Sequence, residues 1–199
     1  MPARLAPARS VGIDFGTTNS VIARGAADGP IELVEFAAPD GTDAAFRSAL
    51  CFWEDDTARG GMAHEAGPWA IAEFLDVPQG SRFLQSFKSV VANATFEHAS
   101  LFGKRLRFED LGQVFLTHLL AHAGAPLRDL PDRVIVGRPV RYVGSRPDPA
   151  LARARYDAML GDGVAFVVTD RLPPGEEIAK YAARKSLQAY AEKPEGDDK

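Results

Sequence analysis

The stretch Val11-Gly12-Ile13-Asp14-Phe15-Gly16-Thr17-Thr18-Asn19-Ser20-Val21 decides how this chain is read. An apolar strand runs into a tight turn rich in glycine and hydroxyls, and a second strand follows. Phe15 and Val21–Ile22 supply the apolar flanks, while Gly16 sits where the backbone must turn sharply. Asp14 stands at the tip of the first strand, beside a cluster of phosphate-binding groups. The backbone N–H groups of Gly16, Thr17 and Thr18, with the two hydroxyls, make a nest suited to terminal phosphates. Asp14 suits the waters of a Mg²⁺ ion, which binds through one or two carboxylates plus phosphate. An ordinary β-hairpin with a polar turn is the simpler alternative. Acid, glycine, paired threonines and asparagine falling together on one strand tip weigh against it.

Residues Gly12 to Ser20 closely resemble the first phosphate-binding hairpin of the DnaK-like, seventy-kilodalton heat-shock chaperones. Actins and sugar kinases, the wider relatives, share only a shorter Asp-x-Gly-x-Thr core, so the full string is more specific to the chaperone branch. It is not a Walker loop, because no Gly-Lys-Ser/Thr ending follows and the second element reads as a strand. The resemblance implies one lobe of a ribonuclease-H-like (actin-like ATPase) α/β fold. Such a lobe is a mixed sheet flanked by helices, with an inserted small α/β subdomain. It also implies ATP and Mg²⁺ as cofactors, Asp14 serving the metal through water, and Thr17, Thr18 and Asn19 at the phosphates, with Gly16 allowing close approach.

A chain of 199 residues can bury a real core, and one domain or slightly more is expected. Hydrophobic residues at 46% and charged residues at 25% are ordinary for a globular protein. The formal net charge of -4, with no long basic run, argues against a general nucleic-acid binder. Cys51 is the single cysteine, which excludes intramolecular disulfides and a cysteine metal cluster and fits a reducing cytoplasm. Met1 to Ser10 carries Arg4 and Arg9 with prolines but no apolar h-region, so it is not read as a secretory signal. No apolar run approaches the length of a membrane span.

Strand patterns occur at Val11–Phe15, Ser20–Arg24, Ile31–Phe36 and Ser48–Trp53, and Ala37 to Ala45 reads as a polar loop. Three successive antiparallel strands are how the resembled lobe begins. Ala63–Leu75 has helical spacing, interrupted by Pro68. Phe83-Leu84-Gln85-Ser86-Phe87-Lys88-Ser89-Val90-Val91 resembles the context in which these chaperones place a catalytic lysine. By that resemblance Lys88 reaches the γ-phosphate, orients the attacking water and offsets transition-state charge. A solvated surface lysine is the competing expectation.

Gln113–Ala123 is helical, with Phe115, His118, Leu119 and His122 along one stripe. His118 and His122 have zinc-helix spacing, but no glutamate follows His118 and no third ligand is evident, so a packed or partly exposed pair is expected. His64 and His98 look isolated. Arg133–Val140 reads as a buried strand ending at Pro139, with Asp148–Leu160 as the helix after it. Gly137-Arg138-Pro139-Val140 resembles a divergent bacterial branch of the family, in which Pro139 would couple nucleotide state to lobe movement.

The resemblance covers roughly Val11 to Leu160. Gly163–Asp170 is read as one more strand, Asp170 as a weak match to the family's later carboxylate, and Glu176–Glu192 as an amphipathic helix. The expected division is a leader over 1–9, the first lobe over 10–160 with its insert at about 37–112, and a divergent strand, helix and tail over 161–199. Nothing in the sequence resembles the second phosphate hairpin, the adenosine motif or a peptide-binding domain. The expectation is therefore a chaperone-type ATPase lobe, truncated or divergent, and weak or inactive alone. ATP and ADP would be its ligands, with unfolded polypeptide or co-chaperones as partners in a full-length context. The alternatives are a stand-alone interaction module that kept the fold and lost catalysis, and a lobe of a sugar or acid kinase.

Overall fold

The computed structural model describes residues 9–26, 31–38, 41–124, 133–137, 142, 144–160 and 166–169. Thirteen strands and three α-helices occur among them, in a mixed α/β arrangement. The first strands are β1 (Arg9–Asp14), β2 (Asn19–Ala26), β3 (Glu32–Leu33), β4 (Phe36–Ala38), β5 (Gly41–Asp43) and β6 (Phe46–Arg47). There follow β7 (Ala49–Glu54), β8 (Met62–Ala66), helix α1 (Gly67–Asp76), β9 (Ser81–Gln85) and a short 3₁₀ turn over Phe87–Val90. The chain continues through β10 (Ala99–Leu101), β11 (Lys104–Leu106), α2 (Phe108–Ala123), β12 (Arg133–Gly137), α3 (Pro149–Leu160) and β13 (Phe166–Thr169).

The main sheet has the order β13-β12-β1-β2-β3, with β6 paired to β2. β1, β2 and β3 are successively antiparallel, whereas β12 lies parallel to β1 and β13 parallel to β12. Val11 and Ile13 of β1 and Val134, Ile135 and Val136 of β12 are all buried. These near-continuous apolar runs are what a parallel pair covered on both faces requires. Phe15 continues the core past the end of β1, stacking on Phe115 of α2 at 5.2 Å between ring centroids. α2 in turn packs against α3, where Gly112 admits the Met159 side chain: a Cβ at Gly112 would lie 2.1 Å from the Met159 sulfur.

A second, three-stranded antiparallel sheet has the order β8-β7-β9, with α1 against it. Three sequence expectations are corrected by the strands that form. Ala63–Leu75 is not one helical run, since β8 occupies Met62–Ala66 and α1 begins at Gly67. Pro68 falls in the first turn of α1, where its missing N–H leaves no helical bond unmade. Gly67 has φ +68, and a Cβ there would meet the Phe46 ring at 2.4 Å, so glycine answers both the turn and the close packing. The polar loop expected over Ala37 to Ala45 is also structured, because β4 and β5 pair across it in a small hairpin. Asp43 Oδ1 accepts from the Ala45 N–H at 2.8 Å and closes the following turn, a local bond that polarity alone does not reveal. Ile31–Phe36 is likewise two short strands, β3 and the start of β4.

Helix α3 starts where Asp148 Oδ1 accepts from the N–H groups of Ala150 and Leu151, at 2.9 and 3.0 Å. No helix among the described residues is long and apolar enough to cross a membrane. Pro139, Asp170 and the helix expected over Glu176–Glu192 lie outside the described residues.

Candidate functional site

The β1–β2 hairpin carries its turn on a scaffold of short polar bonds. Gly16 N–H donates to Asp14 O at 3.1 Å, and a Cβ on Gly16 would stand 2.0 Å from the Asn19 carbonyl oxygen. Any larger residue would have to push the two arms of the turn apart. Ser48, just before β7, braces the turn from behind. Its N–H donates to Thr18 O at 2.8 Å and its hydroxyl to Gly16 O at 2.8 Å. With that proton committed, the buried Ser20 hydroxyl donates to Ser48 Oγ at 2.9 Å. Two carbonyls of the turn are thus held inward. Thr17 and Thr18 are exposed, and among the described residues their backbone N–H groups donate to no protein acceptor. Asn19 is partly buried and accepts a long 3.5 Å bond from Arg47.

Lys88 lies in the 3₁₀ turn that follows β9, and it is only 5% exposed. The solvated surface lysine is therefore excluded. Its Nζ sits 4.6 Å from the Phe15 ring centroid and 6.0 Å from that of Tyr156. Among the described residues it has no hydrogen-bond acceptor. Burial pulls the ammonium down to about 8, and the nearby Asp14 charge pulls it the other way. Asp14 is raised for the same first reason, burial, with Lys88 acting against the rise. Both charges therefore carry a desolvation cost that their mutual attraction only partly offsets.

Two features hold Lys88 in place. Ser86 adopts φ 54, in the left-handed region that a residue with a Cβ enters at a cost of about 1 kcal/mol, and so turns the chain from β9 toward the core. Arg155 of α3, 8% exposed, donates Nη1 to the carbonyls of Val90, Val91 and Asn93 at 3.0, 3.0 and 3.1 Å, and Nη2 to Phe96 O. A guanidinium collecting the last carbonyls of the lysine-bearing turn fixes that turn to α3. Sequence reasoning missed Arg155, which stands among other arginines on a helix with no motif around it.

A second polar cluster joins β8 to α2. Glu65 Oε1 accepts from the Ala66 N–H at 2.8 Å, from His118 Nδ1 at 2.7 Å and from His122 Nε2 at 3.0 Å. Burial opposes the charge on Glu65, but the bonds from His118, Ala66 and His122 outweigh it and hold the carboxyl down at about 2. His118 Nε2 meets His64 Nδ1 at 2.8 Å, and the His122 ring stacks on Trp69 at 3.6 Å. His64 is therefore not isolated, and the histidine pair does have an acidic neighbour. Spacing along the helix could not show this, because Glu65 arrives from a distant strand.

The structure thus brings Asp14, Gly16, Thr17, Thr18 and Asn19 together in one hairpin, with Lys88 in coulombic reach of Asp14. Pro139 is not described. A scan against family models finds no match for the chain, and a comparison with curated proteins finds none either.

Proposed function

We propose that the Phe15–Thr18 turn, Asp14 and Lys88 bind the terminal phosphates of ATP with Mg²⁺, as one half of an actin-like ATPase site of the DnaK-like chaperone type. The observation that carries this reading is Lys88, a buried ammonium beside the hairpin with no protein acceptor among the described residues. A charge kept at such a cost calls for an anion. The exposed threonines, with N–H groups facing no protein acceptor, supply the donors that phosphate oxygens use. Three antiparallel strands opening the main sheet, as in the resembled lobe, are in keeping with it.

Asp14 fits the metal role. It is a single partly buried carboxylate whose charge is disfavoured by burial, so a cation nearby relieves it, and Mg²⁺ needs only one such group alongside phosphate and water. When bound, the ion screens the negative charge of the phosphates. The chain's own residues then have separate tasks. Gly16 keeps the turn narrow, Thr17 and Thr18 donate to the β and γ phosphates, and Lys88 offsets charge on the γ-phosphate and orients a water against it. In a full-length chaperone context, hydrolysis would be coupled to the binding of unfolded polypeptide and co-chaperones.

These residues read phosphates and nothing of the base. The expected result is weak binding, with a Kd on the order of millimolar, equivalent to about 4 kcal/mol. Titration followed by amide NMR should shift Gly16, Thr17, Thr18 and Lys88, and Mg-tripolyphosphate should compete as well as Mg-ATP. Shifts confined to other residues, or no shifts at saturating Mg-ATP, would sink the proposal.

A further inference from the structure

The cluster between β8 and α2 contains a donor set that the phosphate hairpin does not use. Glu65, His118 and His122 each offer one ligand atom, and these atoms all lie within 4.8 Å of one another. Two imidazole nitrogens converge on one carboxylate oxygen, His118 Nδ1 at 2.7 Å and His122 Nε2 at 3.0 Å. Tetrahedral coordination with bonds of about 2.1 Å places ligand atoms about 3.4 Å apart. To reach that spacing the His118 and His122 nitrogens need to draw back from Glu65 Oε1 by about 0.7 and about 0.4 Å. An ion bound there would displace the two protons that now bridge the imidazoles to the carboxylate.

The surroundings already orient each ligand. His118 uses Nδ1 toward the carboxylate, and its other nitrogen, Nε2, meets His64 Nδ1 at 2.8 Å. With Nδ1 on a metal, the ring proton sits on Nε2 and His64 accepts it, the outer partner that metal-bound histidines characteristically have. His122 is held in plane by Trp69, 3.6 Å away with 11° between the rings, so Nε2 stays aimed at Glu65. The Ala66 N–H anchors the Glu65 carboxylate through Oε1, and Oε2 has no protein partner among the described residues. Side-chain exposures of 18% for His118, 21% for His122 and 22% for Glu65 leave a path to solvent.

We propose that Glu65, His118 and His122 form a binding site for one Zn²⁺-class divalent ion, with a fourth coordination position open to water. Two imidazoles and one carboxylate suit a borderline first-row ion, whereas Mg²⁺ and Ca²⁺ prefer all-oxygen sites. Three protein ligands plus an open position is also the composition of zinc sites that polarise a water or a small oxygen ligand. Because the ligands come from β8 and α2, the ion would tie the three-stranded sheet to the helix that supports Phe15. This inference is independent of the ATP reading, since none of its residues belongs to the hairpin or to the Lys88 turn.

The test uses the untagged full chain, stripped with a chelator and titrated with Zn²⁺ at neutral pH against a chromophoric competitor. One equivalent should bind with a sub-micromolar Kd, and thermal melting should shift upward with added Zn²⁺. Glu65→Gln and His122→Phe, which keep size and the Trp69 stacking respectively, should each weaken binding by at least ~100-fold, more than the loss of an outer partner does. Long-range ¹H–¹⁵N spectra of the wild-type chain need no variant, and should show metallation at His118 Nδ1 and His122 Nε2 in a one-to-one complex. Failure to bind one equivalent tighter than ~10 μM, or metallation of other histidines instead, overturns the proposal. At neutral pH that limit is far weaker than structural zinc binding.

Discussion

Lys88 and the Glu65–His118–His122 cluster both border α2, yet they treat polarity in opposite ways. Lys88 is an ammonium held over two aromatic rings, with no protein acceptor among the described residues. In the histidine cluster each of these contacts pairs an N–H donor with an acceptor. A buried charge that its surroundings do not satisfy points outward, to a ligand of opposite sign. A satisfied donor set costs the ligand-free protein little and becomes a site only when an ion replaces protons. The first kind of site is recognised by its cost, the second by its geometry.

The largest effect that separates the two regions should come from Arg155→Met. It removes bonds to four carbonyls around the lysine-bearing turn, of which that of Val91 is buried and the others are partly so. Urea unfolding should show a loss of about 3 kcal/mol, and Mg-ATP shifts at Lys88 should disappear. Zinc affinity should stay unchanged. Equal loss of both would mean that the two clusters form one cooperative unit.

Gly16→Ala tests the hairpin without touching either cluster. Its Cβ would stand 2.0 Å from the rigid Asn19 carbonyl oxygen, so about 2 kcal/mol of stability should be lost in the same assay. A variant as stable as wild type would show that the turn is looser than described.

Lys88→Met should move stability the other way. Replacing a desolvated ammonium by an apolar chain of similar length should raise stability at pH 7 by about 1–2 kcal/mol while weakening Mg-ATP binding. The pH dependence supplies a sharper check. Lys88 titrates near 8 in the fold and at 10.5 in its ordinary setting. Between those values the unfolded chain holds a proton that the folded chain has released, so wild-type stability should rise as pH climbs from about 8 to about 10.5. In Lys88→Met that rise should be missing from a series of denaturant melts across the window. Persistence of the rise would assign it to another group.

The smallest effect should come from His64→Ala. It removes the outer partner of His118 and not a ligand, so zinc affinity should fall by ~10-fold with the stoichiometry kept. A loss as large as that of Glu65→Gln would make His64 a ligand in its own right.

Much of this molecule follows from local patterning. Val11 to Val21 announces two strands and a tight turn, the apolar stripe through Phe115 and Leu119 announces α2, and Asp148 ahead of Leu151 announces the start of α3. Alternation, helical spacing and capping are properties of neighbouring residues, so they can be read along the chain. Ala63–Leu75 misled because small residues such as Ala63, Ala66 and Ala70 fit a helical stripe as well as a strand, and only pairing with β7 separates the two.

The sequence by itself determined the hairpin with Asp14, Gly16, Thr17 and Thr18, the succession of antiparallel strands that opens the chain, and the helical pair His118 and His122. Tertiary structure alone decided that Lys88 is buried, that Arg155 clamps its turn, and that Glu65 and His64 meet the histidine pair. The reason is physical. Those contacts join residues 53 to 65 positions apart, and the burial that sets their energies belongs to the packed interior of several elements at once, not to any one segment.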